Sequence, residues 1–326
     1  MSVRDTVRKA WQITQVHLKK LLWYGFIPAF FSTIVSSVYI AYQYSAFRNS
    51  ALFSPGRGQG QDVFKMAKKV WNVASHYPKV TIALIVIGVL IFLGYVILPP
   101  IFRGVLISAI NKIRKYEPIS GSMEVGVRHF FPMFEFALLT GAFSITTLFT
   151  ESSFILRWWG ENVFFVTLPI LLFIAMAGLI ISFLFTYAEY FIVLKGKNIT
   201  KSIMESTILV ISNLRKTFLV FMLMVLIGVR IVLNVLLVLL IPMLVIGAAS
   251  YMATIFFSTY GLAFIGIFAF AILIVSSYLL GLFNIFATAV WVLTFAQLHE
   301  KEEDKKVPEP EKTETEKTHL TSETAA

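Results

Sequence analysis

The fold is decided by residues 217–299, which read TFLVFMLMVLIGVRIVLNVLLVLLIPMLVIGAASYMATIFFSTYGLAFIGIFAFAILIVSSYLLGLFNIFATAVWVLTFAQLH. Arg230 is the only formally charged residue in this stretch. A water-soluble domain does not leave so long a segment uncharged, because its surface has to be hydrated. The stretch is instead typical of helices that cross the hydrocarbon core of a bilayer, each of which needs about 20 apolar residues.

The rest of the chain has the same character, with 57% hydrophobic residues among 326 and a mean hydropathy of +0.78. Its apolar runs are continuous and lack the alternation of a membrane β-barrel. We therefore predict an all-α, polytopic transmembrane helical bundle of about six spans. The predicted spans are 21–44, 80–98, 130–150, 163–190, 217–241 and 262–297. The alternative is seven spans, because the apolar run through 240–262 is long for one span and short for two.

Three regions are predicted along the chain. Residues 1–20 form an interfacial amphipathic helix, since basic side chains and Trp11 occupy different faces at helical spacing. Residues 21–298 form the transmembrane domain. Residues 299–326 form a disordered acidic tail that is rich in Glu, Lys and Thr and has no aromatic residue. Further amphipathic helices are predicted at 63–74, 101–116 and 200–213, the first of them inside the long 45–79 loop.

The distribution of Lys and Arg predicts the orientation in the plasma membrane. With six spans, one side holds fifteen basic residues in 1–20, 101–129 and 195–216, and the other side holds seven. Six of those seven lie in the 45–79 loop, which is atypical for an external loop. Because cytoplasmic loops carry the excess of positive charge, we expect both termini to be cytoplasmic.

A few polar residues inside the predicted spans are candidate binding residues. Arg230 lies about 20 Å into its span, and Asn234 follows one turn later on the same face. Glu135 and Glu189 lie near the cytoplasmic ends of two other spans. The four could bind an anion, a proton or a cation in a transporter, or Arg230 could form an ion pair inside the bundle. Each carboxylate could equally be an interfacial group that meets a nearby Lys or Arg.

A second set of basic residues flanks the spans on the predicted cytoplasmic side. Each could gain about 1 kcal/mol from an anionic lipid surface. The candidate lipid-headgroup contacts are Arg103, Lys112, Arg114, Lys115, Lys195 and Lys197.

Several kinds of chemistry have no support in the sequence. There is no cysteine, and the five histidines are too dispersed for the usual metal-ligand spacings. A phosphate-binding glycine loop and a serine nucleophile elbow are both absent. Nucleic-acid motifs are absent as well, and net charge of +10 is common in membrane proteins with basic loops. We therefore expect no metal, no cofactor, no nucleic-acid partner and no enzymatic activity.

Two linker stretches carry a resemblance to a known family. The first is PPIFRGVLI at 99–107, followed after a short loop by VGVRHFF at 125–131. The second is YAEYFIVLKGK at 187–197, followed by ITKSIMES at 199–206. This order resembles a broad family of six-span bacterial and archaeal membrane proteins, which includes the membrane region joined to some glycerophosphodiester phosphodiesterases. The resemblance, over residues 1–298, implies a six-span architecture and a non-enzymatic role, because phosphodiesterase chemistry belongs to a separate soluble domain.

These observations favour a non-enzymatic membrane protein that binds or organises lipid or a partner protein. The expected partners are membrane lipids, anionic lipids among them, and a protein partner or a second copy of the chain. The alternative is a transporter or permease subunit that uses Arg230 and the carboxylates of the spans. A membrane enzyme acting on lipids is the least favoured reading, because no cluster of His, Asp or Glu gathers at one interface.

Overall fold

A computed structural model describes residues 3–48, 68, 71–72, 75–230, 233 and 258–306. All regular secondary structure in these ranges is α-helical, which confirms the predicted all-α polytopic bundle. The helices are α1 (Val3–Val16), α2 (Leu18–Arg48), α3 (Pro78–Arg114), α4 (Ser122–Arg128), α5 (Phe130–Gly141), α6 (Ile145–Trp158), α7 (Gly160–Leu184), α8 (Ala188–Lys195), α9 (Ile199–Ser212), α10 (Leu214–Arg230) and α11 (Ser258–Lys306).

Four helical stretches are long and apolar enough to cross a membrane. They are Leu18–Tyr44, Pro78–Arg114, Gly160–Lys195 and Gly266–Lys301. Two bent pairs raise the number to six if each pair forms one span: α5 with α6, bent by 44°, and α9 with α10, bent by 100°. Two predicted features lie largely outside the described residues. They are the interfacial helix at 63–74 and the segment 240–262, where the six-span and seven-span predictions differ.

The third predicted span is divided into two helices. The span was expected to be one helix over 130–150, but α5 ends at Gly141 and α6 runs from Ile145 to Trp158. Ser144 begins α6, and its side-chain oxygen accepts a hydrogen bond from the backbone N–H of Thr147 at 3.2 Å. A serine in this position satisfies a backbone donor that the first turn of a helix leaves without a partner.

Helix α3 is continuous through Pro99 and Pro100. The sequence predicts a span that ends at 98 and a separate amphipathic helix at 101–116, and the two prolines between them lack a backbone donor. In the structure the span and the basic segment instead form one helix that ends at Arg114. The last predicted span likewise extends further, since α11 runs to Lys306 and includes the start of the region expected to be a disordered tail.

Helix α1 packs lengthwise against the C-terminal part of α11. Trp11 contacts Phe286 edge to face, with ring centroids 5.7 Å apart. Thr6 accepts a hydrogen bond from the side-chain amide of Gln297 at 3.2 Å. The face of α1 that was predicted to be apolar, with Ala10 and its neighbours, is therefore buried against protein.

Two glycine pairs lie at close contacts between helices. An added Cβ on Gly25 of α2 would lie 2.7 Å from the carbonyl oxygen of Gly281 in α11. An added Cβ on Gly126 of α4 would lie 2.6 Å from the carbonyl oxygen of Ile101 in α3. Gly104 faces Gly126 from the other side of this second crossing. Small residues allow membrane helices to approach at backbone distance, where dispersion contacts are dense.

The buried core lies at the end of the bundle that carries Arg103, Arg114 and Lys195, which we call the basic end. It is formed by α1, the start of α2, the C-terminal halves of α3 and α11, α8, and parts of α5, α9 and α10. By contrast, none of the residues in the most apolar window of Pro78–Arg114 are buried inside the protein. The described spans therefore expose apolar side chains along much of their length and pack together in the buried core at the basic end.

Candidate functional site

An ion pair between Arg103 and Glu189 lies beside this buried core. The Nε atom of Arg103 in α3 donates to a carboxylate oxygen of Glu189 in α8 at 2.7 Å. A second guanidinium nitrogen donates to the hydroxyl of Thr288 in α11 at 3.0 Å. That hydroxyl in turn donates to the backbone carbonyl of Asn284 at 2.7 Å. The guanidinium of Arg103 therefore links α3 to both α8 and α11.

Aromatic rings surround the ion pair on the α8 side. Tyr190, beside Glu189, stacks on Phe295 of α11 with ring centroids 5.7 Å apart. Tyr187 meets Trp291 edge to face at 5.9 Å, and its hydroxyl hydrogen-bonds the hydroxyl of Thr217 at 3.2 Å. Because the rings of Tyr187, Tyr190 and Phe295 are almost fully buried, they hold α8 in one position against α10 and α11.

The predicted binding carboxylates have different surroundings. Glu189 pairs with Arg103, as expected for a carboxylate that meets a nearby cation. Glu135 is exposed on α5, and in the described part of the chain no ion pair or hydrogen bond joins it to Glu189. Arg230 is exposed at the end of the described part of α10, and Asn234 lies outside the described residues.

The six predicted headgroup contacts fall into two groups. Besides Arg103, two of them form ion pairs: Arg114 with Glu300 at 2.7 Å, and Lys197 with Glu205. Lys112 donates to the backbone carbonyl of Ser120, which closes the loop after α3. The side chains of Lys115 and Lys195 are exposed. The first group thus contributes to the structure of the basic end, and the second is presented at its surface.

A polar network at the other end of the bundle was not predicted. Ser153 of α6 donates to the amide oxygen of Gln43 in α2 at 2.8 Å, and the Gln43 amide donates to the Tyr39 hydroxyl at 2.9 Å. The Tyr39 hydroxyl also lies 2.7 Å from that of Thr150. Ser153 and Gln43 are buried. The signal available in the sequence was polar residues at the end of an apolar span, which usually form hydrogen bonds between helices.

The described residues contain no metal-binding group. Among them, no three His, Asp or Glu side chains converge as ligands would. The basic end therefore combines the Arg103–Glu189 ion pair, which joins three helices, with exposed cations around it.

Comparison of the chain with protein-family models, with curated proteins and with solved structures gave no match in any of the three.

Proposed function

We propose that this integral membrane protein binds anionic phospholipid and carries out no catalytic reaction of its own. The observation that carries the proposal is the placement of exposed cations where apolar helices end. Lys19 and Lys20 begin α2, Lys115 follows α3, and Lys195 ends α8. A cation at this level gains about 1 kcal/mol from an anionic leaflet, which is about a fivefold preference.

The orientation is part of the same proposal. The basic end faces the cytoplasm of a cell whose plasma membrane contains the protein, because anionic lipid and positively charged loops both concentrate there. The 99–107 and 187–197 stretches resemble a family that has six spans and a non-enzymatic membrane region. This resemblance supports a six-span protein without catalytic activity.

Lipid competition tests the proposal directly. The purified protein is equilibrated in detergent with equal amounts of phosphatidylglycerol and phosphatidylcholine, and bound lipids are counted by native mass spectrometry. We expect phosphatidylglycerol to be retained about fivefold more than phosphatidylcholine. This preference should fall as salt is added, because the cations are exposed and screening is strong. Equal retention of the two lipids at low salt would contradict the proposal.

A second candidate function rests on Arg230. It is exposed in an apolar helix, and among the described residues it has no ion-pair partner. An arginine at membrane depth costs at least about 2.5–3.5 kcal/mol, so it requires a wet cavity, a partner or an anionic substrate. A transporter of small anions would lose flux in proteoliposomes on Arg230→Ala and keep it on Arg230→Lys. If Arg230→Ala instead abolishes expression, the arginine has a structural role.

A further inference from the structure

A cleft lies between the N-terminal helices and the end of α3. Its volume is about 530 Å³. One wall comes from α1 and the start of α2, and the other from the last turn of α3 and the loop that follows it. The lining polar side chains are those of Lys9, Gln12, His17, Lys20, Arg114 and Tyr116, with Glu117 beside them.

The charge of the cleft suits an anion. Lys9, Lys20 and Arg114 contribute three cations against the single carboxylate of Glu117. One guanidinium nitrogen of Arg114 is paired with Glu300, so the excess positive charge of the lining comes from Lys9 and Lys20.

The apolar part of the lining distinguishes a lipid from a small soluble anion. Ile13, Val16, Ile113 and Ile119 line the same cleft. A free phosphate gains nothing from aliphatic side chains, whereas the glycerol and upper acyl carbons of a phospholipid are apolar enough to cover them. The cleft also lies beside the start of α2, which is the N-terminal end of a candidate membrane span.

Tyr116 at the edge of the cleft has an unusual backbone conformation. Its φ is +62°, in the left-handed region, and its side chain is 94% exposed. Glycine is the usual residue in this position after a helix, and a side chain there costs about 1–2 kcal/mol. A tyrosine held there against its conformational preference presents an amphipathic ring at the interface, where such rings are enriched.

We infer that this cleft between α1 and the end of α3 is a binding site for the phosphate of an anionic phospholipid headgroup. The inference rests on the proposed function and deepens it by assigning the site. Lys9, Lys20 and Arg114 neutralise the phosphate, Gln12 and Tyr116 offer hydrogen bonds, and the isoleucines cover the glycerol.

A charge-matched pair of variants tests the site in the full-length protein. Lys9→Gln/Lys20→Gln removes two cations that line the cleft, one from each helix. Arg4→Gln/Arg8→Gln removes two cations from α1, and neither of these lines the cleft. Retention of phosphatidylglycerol is measured by native mass spectrometry, and folding is checked by thermal melting. We expect about fivefold weaker retention of phosphatidylglycerol in the cleft variant, which removes the preference over phosphatidylcholine, and less than about twofold weaker retention in the control.

The outcomes separate the site from the function. Equal losses in the two variants would overturn the cleft and leave general lipid binding intact. Retention of no anionic lipid by the wild-type protein would overturn the proposed function itself. Competition with inorganic phosphate identifies the source of the phosphate group. Phosphatidylglycerol that stays bound in the presence of inorganic phosphate supports the lipid assignment. If an equal concentration of phosphate displaces phosphatidylglycerol from the wild-type protein but not from the cleft variant, the lipid assignment is overturned.

Discussion

The Arg103–Glu189 ion pair should stabilise the contact between α3 and α8. The hydrogen-bonded atoms are 2.7 Å apart, and two unit charges about 4 Å apart at an effective dielectric constant of about 20 attract each other by about 4 kcal/mol. Loss of hydration offsets much of this gain when both groups leave water. The two side chains are 32% and 23% exposed, which lies between a surface pair and a fully buried one. We therefore expect a coupling free energy of about 2 kcal/mol.

A double-mutant cycle measures this coupling. The variants are Arg103→Gln, Glu189→Gln and the double variant, and the free energy of unfolding is followed by tryptophan fluorescence in mixed detergent and SDS micelles. Arg103→Gln should be the more destabilising single change, because it also removes the hydrogen bond to Thr288. The double variant should be less destabilised than the sum of the two single variants.

The chain contains a matched control for this experiment. Glu124 and Arg128 form an ion pair at the same distance of 2.7 Å, but both side chains are 71% exposed. Pairs of this kind within one helix contribute about 0.3–0.5 kcal/mol. If the Arg103–Glu189 coupling is no larger than the Glu124–Arg128 coupling, burial does not strengthen the first pair and the reasoning is refuted.

Three further predictions concern local packing, and thermal melting in detergent measures all of them. Gly126→Ala should destabilise the protein by about 1–3 kcal/mol, because the added Cβ meets α3. Gly88→Ala should be neutral or stabilising, because its Cβ meets nothing within 4 Å. Similar losses of stability in the two variants would contradict close packing at Gly126. Tyr116→Gly should stabilise by about 1 kcal/mol by relieving the left-handed backbone, and a loss would show the ring to be structural. Ser206→Ala should cost about 1–3 kcal/mol, because the hydroxyl accepts from the buried N–H of Tyr187, and no change would exclude that role.

The membrane class of the protein was predictable because it depends on composition along the chain. A stretch such as 217–299 cannot be hydrated, whatever its neighbours are, so an apolar environment follows from the sequence alone. The amphipathic character of α1 was predictable for the same reason, since helical periodicity is local. The division of span three was not predicted, although the serine cap that begins α6 is local to Ser144 and Thr147. The continuity of α3 through Pro99 was not predictable, because the tolerance of a membrane helix for proline depends on its surroundings.

The candidate site divides along the same line. The sequence by itself determined that Arg103 and Glu189 are charged groups at the ends of apolar helices, where each requires a partner. It could not determine that they are partners of each other, because 86 residues separate them and several other cations and carboxylates lie at similar depth. The cleft that Lys9 and Arg114 line was equally beyond the sequence. Burial, hydrogen-bond satisfaction and cavity shape are properties of residues distant in the chain, and only the packing of the helices brings those residues together.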